Sequence, residues 1–181
     1  MRLVLVGTSH HHAPVELRER VALDRDHAAE LARRLGEAVC LSTCNRTELY
    51  VAAADGVEAE RRAVAALAEL EPQVEQALYR LHDHAAALHL FRVAAGLDSL
   101  VPGEGEILGQ VRAAFEAGTA ATLLDRLFRQ ALHAGRKVRA QTAIGESPAS
   151  VSAAAAALAE QVFGDLAGRS ILLVGDRKSV V

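Results

Sequence analysis

AVCLSTCNRTELYVA, residues 38–52, places a run of polar side chains between two short apolar segments. Segments 38–41 and 48–52 have the length and the β-branched or aromatic content of strands. They bracket the polar run, which therefore lies in the connection between two strands or at their ends. This stretch therefore predicts two strands with polar side chains, and a cysteine among them, in their connection or at their ends.

Elements on both sides of this stretch extend the pattern. The apolar run 3–6 predicts a buried strand that ends in a tight turn at Gly7. Helical periodicity predicts helices over 26–35 and over 57–70, the second closed by Pro72. Strand, helix, two strands and helix make a small βαββα unit, so we expect an α+β fold.

The second half of the chain has a different pattern. Strand signals vanish from residue 73 onward, and the apolar spacing favours a layer of helices. A polar turn then leads to a final apolar run, 169–175, which ends at Gly175 and is typical of the first strand of a Rossmann unit. The predicted helices of this half are 74–80, 84–95, 105–118, 122–143 and 149–163.

Composition limits the classes of function. Hydrophobic residues make up 51% and charged residues 24%, which indicates a globular chain. The net charge of −3 gives no broad attraction to nucleic acid, so an RNA contact would need a local basic cluster. No run is apolar and long enough to span a membrane, and two cysteines four residues apart are poorly placed for a disulfide. We expect a protein of the reducing cytoplasm.

The two cysteines lie in different surroundings. Cys40 stands between Val39 and Leu41 and is expected in the core, whereas polar residues flank Cys44. In an extended backbone, Cys44 and Arg46 would project to one face, where a guanidinium favours a thiolate. Cys44 is therefore a candidate nucleophile, and a small buried filler is the alternative.

Other polar clusters leave alternatives open. Three consecutive histidines, 10–12, cannot easily face one ion, so we predict no metal site. The glycine-bearing loop 96–106 could bind a small polar ligand or could only connect two helices. A basic stripe could contact phosphates or form a solvated helix face. The stripe consists of Arg126, Arg129, Arg136, Lys137 and Arg139.

Four blocks in order, 7–19, 42–50, 89–110 and 135–142, resemble the N-terminal catalytic domain of the glutamyl-tRNA reductases. The resemblance implies a catalytic domain over 1–146, a connecting helix and turn over 147–168, and the first strand of an NADP-binding domain over 169–175. It also implies that Cys44 attacks the ester of glutamyl-tRNA to give a thioester. NADPH then reduces the thioester to glutamate-1-semialdehyde in the first step of five-carbon tetrapyrrole (porphyrin) biosynthesis.

The resemblance also implies roles for individual residues. Thr43, Asn45 and Arg46 would hold the substrate near the sulfur of Cys44, and His89 would act as an acid for the departing ribose hydroxyl. Glu106 stands where the family usually has glutamine, which places an additional carboxylate near a substrate carboxylate. The implied glutamate-recognition residues are Ser99, Glu104, Gly105, Glu106 and Gln110.

The C-terminal end departs from the family pattern. Gly175 is the one residue expected at a cofactor site, because no phosphate-binding glycine loop follows it. Residues 176–181 are expected to be non-native. The adapter read GATCGGAAGAGCGTCGTG followed by TAG translates as these six residues and a stop, so other codons in the coding DNA would contradict this hypothesis.

The family resemblance and the departure at the C-terminal end together determine the expected partners and the alternative functions. The family implies glutamyl-tRNA and an aminomutase as partners and a homodimer at full length, and we expect this chain alone to be a monomer without reductase activity. A glutamyl-tRNA thiol hydrolase or a tRNA-binding module is the alternative function. A structural α/β module with an incidental Cys44 is the third.

Overall fold

A four-stranded antiparallel sheet is the centre of the fold. The computed structural model describes residues 1–145, 151–170 and 172. The strands are β1 (Arg2–Ser9), β2 (Ala38–Ser42), β3 (Arg46–Ala53) and β4 (Tyr79–His82), in the spatial order β2-β3-β1-β4. The long central pair, β1 and β3, is therefore covered on both edges by a shorter strand.

Helices cover both faces of the sheet. Two short 3₁₀ helices, Pro72–Ala77 and Ala143–Gly145, accompany them. In the part of the chain that the structure describes, no helix is both long and apolar enough to cross a membrane. The α-helices are α1 (Val15–Arg20), α2 (Arg25–Leu35), α3 (Gly56–Leu70), α4 (Asp83–Ala94), α5 (Glu106–Ala117), α6 (Thr122–Gln141) and α7 (Val151–Phe163).

Caps fix the starts of α2 and α3 and the end of α2. The Asp24 carboxylate accepts a hydrogen bond from the His27 N–H at the start of α2, and Asp55 does the same for the first turn of α3. Gly36 ends α2 with a φ of +99°, a conformation that favours glycine. The predicted helices 26–35 and 57–70 are therefore confirmed within one residue.

Alternation along β3 divides the interior into two hydrophobic cores. Leu49 and Val51 face the core formed with α2 and α3. Tyr50 and Ala52 face the other core, formed with α4, α5 and α6. By the same alternation Glu48 shares the face of Tyr50, so β3 carries a charged side chain into the second core.

The α+β class is confirmed, but the βαββα pattern is incomplete. The helix predicted over 74–80 is wrong, because the chain forms a 3₁₀ helix and then β4 at this point. β4 is a half-exposed edge strand of four residues, and it forms by pairing with β1. The pattern of its own residues is therefore too short to predict a strand. The short helix α1 was also missed. Helices predicted over 84–95, 105–118 and 122–143 correspond to α4, α5 and α6.

The described residues include only part of the C-terminal segment for which the sequence predicts a helix and a strand. The helix predicted over 149–163 corresponds to α7, and residues 146–150 lie outside the described residues. In the predicted strand 169–175, the described positions 169, 170 and 172 lie outside any strand. Gly175 and the tail 176–181 lie outside the described residues, and the domain boundaries stay predictions.

Gly7 lies inside β1 rather than in the turn predicted there. The register pairs it with Glu48 of β3 on one side and with Tyr79 of β4 on the other. A Cβ atom on Gly7 would lie 2.8 Å from Cγ of Glu48 and 2.8 Å from the carbonyl oxygen of Thr47. The missing side chain thus leaves the space in which the side chains of β3 and β4 meet across β1.

We expect Gly7→Ala to lower the free energy of unfolding by about 2 kcal/mol, because the new methyl group overlaps backbone as well as side chain. Urea unfolding followed by circular dichroism measures the change. Gly109→Ala in α5 is the matched control, since its Cβ would meet nothing within 4 Å and should leave stability unchanged or slightly higher. Equal stability of Gly7→Ala and wild type would contradict the close approach.

Candidate active site

The turn between β2 and β3 presents Cys44 to solvent. The Thr43 N–H donates to the carbonyl oxygen of Arg46 at 2.8 Å, which closes the turn. The Thr43 hydroxyl oxygen accepts from the N–H groups of Asn45 and Arg46 at 3.1 and 3.2 Å. Cys44 is exposed at the tip, and its carbonyl oxygen accepts from Nε of Arg18 at 3.4 Å. A rigid turn with an exposed thiol is suited to attack on a large substrate.

The histidine segment after β1 packs beside this turn. The His10 N–H donates to the carbonyl oxygen of Asn45 at 2.9 Å. Burial, and next the charge of His11, lower the pKa of His10. Within the described ranges, no group of three histidine, cysteine or acidic side chains is placed to hold a metal ion. This segment is therefore joined by a main-chain hydrogen bond to the turn that carries the thiol.

Glu48 is the centre of a buried polar cluster behind the turn. Its Oε1 accepts from Nη1 of Arg46 at 2.8 Å, from Nε2 of His89 at 2.8 Å and from the Tyr79 hydroxyl at 2.5 Å. Its Oε2 accepts from the Tyr50 hydroxyl at 2.6 Å. The pairing of β1 with β3 and β4, and the packing of α4, bring these groups together. We call Arg46, Glu48, Tyr50, Tyr79 and His89 the Glu48 cluster.

The Glu48 cluster holds its carboxyl group ionised. Burial alone would raise the pKa of Glu48, but the hydrogen bond from His89 and the charge of Arg46 lower it to about 2. Burial and the charge of Glu48 raise the pKa of both Tyr50 and Tyr79, so both hydroxyls remain protonated and donate. An ionised carboxylate only accepts, so Nε2 of His89 carries a proton toward Glu48 and Nδ1 is the ring atom left to exchange a proton with a ligand.

Arg46 does not occupy the position expected from the sequence. Its side chain is only 1% exposed, and Nη1 bridges Glu48 and Oδ2 of Asp98, the latter at 3.0 Å. Nη2 also donates to the main-chain oxygen of Asp98. The expectation that Arg46 projects beside Cys44 is wrong, because 43–45 form a turn instead of extended backbone and the guanidinium points inward to two carboxylates.

The glycine-bearing loop is held by the end of α6. Nη1 of Arg139 donates to the main-chain oxygens of Gly103 and Glu104 at 3.0 and 2.9 Å. Ser99 is buried, and its hydroxyl has no hydrogen-bond partner among the described residues. Gly105 precedes the first turn of α5. Arg139 thus supports the loop, and in the same predicted basic stripe Arg129 pairs with Asp125 at 2.9 Å.

The remaining candidates of the loop lie on α5. Glu106 is its first residue, and Gln110 follows one turn later. Gln110 lines a small cavity of about 150 Å³ together with Cys40 and Ser42, and not the cavity next to His89. Cys40 is 4% exposed, which confirms it as a core residue, and this burial raises the pKa of its thiol to about 12.

A larger cleft opens beside the Glu48 cluster. It has a volume of about 360 Å³ and lies between the histidine segment, β4 and α4. His89 and Asp98 both line it, so the cluster reaches solvent through this cleft. Other lining residues are His12, Tyr79, Leu81 and Leu88.

The structure brings some of the predicted site residues into contact and adds residues that the sequence did not predict. Arg46 and His89 meet through Glu48, which the sequence reasoning did not single out, although a carboxylate in the middle of an apolar strand is an available signal. Asp98 was also missed, although it directly precedes Ser99 in the loop. Tyr79 could not be found before β4 was known.

Comparison with known proteins adds the decisive observation. The family model described as "Glutamyl-tRNAGlu reductase, N-terminal domain" matches residues 6–142, which contain the turn, the Glu48 cluster and the loop. The chain belongs to the glutamyl-tRNA reductase family.

Similar proteins come from distant organisms. The chain is 43% identical over 192 residues to the glutamyl-tRNA reductase of Nitrosococcus oceani, covering 99% of this chain and 46% of the relative. It is 48% identical over 189 residues to that of Rubrobacter xylanophilus, covering 97% and 44%. The solved glutamyl-tRNA reductase from Methanopyrus kandleri superimposes with a TM-score of 0.66 at 35% identity, covering 88% and 39%. The chain therefore spans less than half the length of these relatives.

Proposed function

We propose that this chain carries the acyl-accepting site of a glutamyl-tRNA reductase, in which Cys44 takes the glutamyl group from glutamyl-tRNA. The carrying observation is an exposed thiol on the turn that leads into β3, the strand whose buried Glu48 holds His89 at the edge of a cleft. A nucleophile next to an oriented histidine is the usual arrangement for acyl transfer. Family membership and the geometry support the same reaction.

The proposed step is a transesterification. Sγ of Cys44, as the thiolate, forms a bond to the ester carbonyl carbon, and the bond from that carbon to the terminal ribose oxygen breaks. The departing ribose oxygen takes a proton from Nδ1 of His89, while Nε2 stays on Glu48. The products are a glutamyl thioester on Cys44 and free tRNA.

Substrate binding is assigned to the turn and the loop. Thr43 and Asn45 fix the backbone around the sulfur. Ser99 is the best supported contact in the loop. Its buried hydroxyl has no hydrogen-bond partner among the described residues, and a substrate could supply one. We propose that Glu104, Gly105 and Glu106 shape the same loop. Arg46 acts through Asp98, since its guanidinium is already bound there.

NADPH is the proposed reductant of the family reaction, which leads to glutamate-1-semialdehyde and tetrapyrroles. The chemistry it supplies is hydride transfer to the thioester carbon. Gly175, the expected cofactor contact, lies outside the described residues. We propose that this chain alone accepts the glutamyl group without reducing it.

Intact-protein mass spectrometry tests the proposal. The chain is mixed with glutamyl-tRNA, and we expect the mass of one glutamyl group to be added, with peptide mapping to Cys44 and release by hydroxylamine. A dedicated thiol hydrolase would instead consume many equivalents of glutamyl-tRNA within the same period. No adduct and no hydrolysis would contradict both activities and would leave a binding or structural role.

The assembly and the location are further parts of the proposal. We propose a cytoplasmic protein whose full-length relatives act as homodimers and pass their product to an aminomutase. For this chain alone we propose a monomer. Light scattering at several protein concentrations checks this, and a mass near twice 19.2 kDa would contradict it.

A further inference from the structure

We infer that the cleft beside His89 receives the terminal adenosine of the tRNA, so that the chain reads the leaving nucleoside as well as the glutamyl group. This inference rests on the proposed function. His89 gives its proton to the departing ribose oxygen, and the base is attached to that same ribose. Because His89 lines the cleft, a nucleoside in contact with His89 places its base there.

The surfaces of the cleft suit a flat purine. Leu81 and Leu88 provide apolar contact area, and Leu88 is 52% exposed on α4. The rings of His12 and Tyr79 lie with centroids 4.8 Å apart, and the ring of His89 lies 5.4 Å from that of Tyr79. Bases stack on aromatic rings and on apolar side chains with little dependence on hydrogen bonds.

The polar edge of the cleft offers a contact that an RNA nucleoside would use. Oδ2 of Asp98 is bound to Arg46 at 3.0 Å. Oδ1 lies 3.9 Å from Nε2 of His11 and 4.0 Å from Nη2 of Arg92, both longer than a hydrogen bond. It can therefore accept a hydrogen bond from a ribose hydroxyl or from the amino group of adenine.

Size agrees with this assignment. A volume of about 360 Å³ lies at the lower end of the range for small-ligand sites, and such sites combine apolar walls with few polar groups. Arg92 and Asp98 also line the cleft and could pair with the two charges of a glutamyl group, but that group would leave the apolar walls formed by Leu81 and Leu88 without an apolar partner. The nucleoside is therefore the occupant that the cleft fits, and the glutamyl group is the competing outcome of the test.

Leu88→Asn in the full chain tests the assignment without adding charge. We expect the second-order rate of Cys44 acylation by glutamyl-tRNA to fall about tenfold, because the apolar contact with the base is lost. Acylation by the α-p-nitrophenyl ester of glutamate, which has no nucleoside, should be unchanged. Leu158→Asn on α7, at 59% exposure, is the matched control and should behave as wild type with both esters.

An unchanged rate with glutamyl-tRNA would overturn the inference. An equal loss with both esters would also overturn it, because it would assign the cleft to the glutamyl group.

Saturation-transfer NMR with free adenosine separates this inference from the proposed function, since it needs no reaction. We expect a signal for wild type and Leu158→Asn that is lost in Leu88→Asn. Absence of a signal with wild type overturns the cleft assignment even when Cys44 is acylated. A signal without any acylation of Cys44 supports nucleoside binding and contradicts only the proposed reaction.

Discussion

Cys44→Ser is expected to abolish the glutamyl adduct, with a fall in acylation rate of more than about 1,000-fold. A serine hydroxyl has to lose its proton during attack, whereas a thiol provides a population of thiolate beforehand. In the proposed step His89 carries a proton on both ring nitrogens before attack, Nε2 toward Glu48 and Nδ1 toward the ribose oxygen, so it cannot take the serine proton. Intact-protein mass spectrometry after mixing with glutamyl-tRNA measures the loss.

Cys40→Ala is the matched control for this change. Cys40 is 4% exposed in the core beside α2, and its loss should lower stability slightly while the adduct still forms. Cys44 is exposed, so Cys44→Ser should unfold at the same urea concentration as wild type. An adduct of undiminished rate on Cys44→Ser would show that another group accepts the glutamyl residue.

Glu48→Gln is expected to lower the free energy of unfolding by about 3–5 kcal/mol and to reduce Cys44 acylation by about 100-fold. The amide replaces one acceptor by a donor among four donating groups, and among the described residues it leaves the buried Arg46 with Asp98 alone to balance its charge. His89 loses the partner that orients its ring. Urea unfolding and the acylation assay measure the two effects.

The pH dependence identifies the cause of the lost stability. The pKa of Glu48 is lowered from its ordinary 4.5 to about 2, so its stabilisation is fully present above about pH 4.5 and is lost as the pH falls toward 2. The stability difference between wild type and Glu48→Gln should therefore shrink across that window. Glu58→Gln, which breaks only an exposed pair with Arg61, should match wild type within about 0.5 kcal/mol. A difference independent of pH would contradict the role of the charge.

Local signals in the sequence were sufficient for most of the framework. Asp24, Asp55 and Gly36 cap helices by contacts within a few residues, and such contacts can be read from the chain directly. β4 could not be read, because Tyr79–His82 becomes a strand only through its pairing with β1. The sequence predicts Gly7 as a turn residue, because its place inside β1 depends on Glu48 and Tyr79 across the sheet.

The candidate site was predictable residue by residue but not as an arrangement. Cys44 and His89 were identified through the polar run and the family resemblance. Their relation depends on Glu48, which lies on the same strand face as Tyr50 and is visible only when the sheet register is known. Arg46 was misplaced for the same reason, because nothing near it in the chain shows that Asp98 meets it.

The contacts of Glu48 and Arg46 also determine when the site can exist during folding. The Glu48–His89 bond joins residues 41 positions apart, and the Arg46–Asp98 pair joins residues 52 apart. A chain emerging from the ribosome forms the β2–β3 turn early, since its contacts are local. Cys44 is then a bare thiol on a hairpin until α4 and the following loop have docked. The proposed acyl transfer, which uses His89 as the acid, therefore requires a molecule whose helical half is in place.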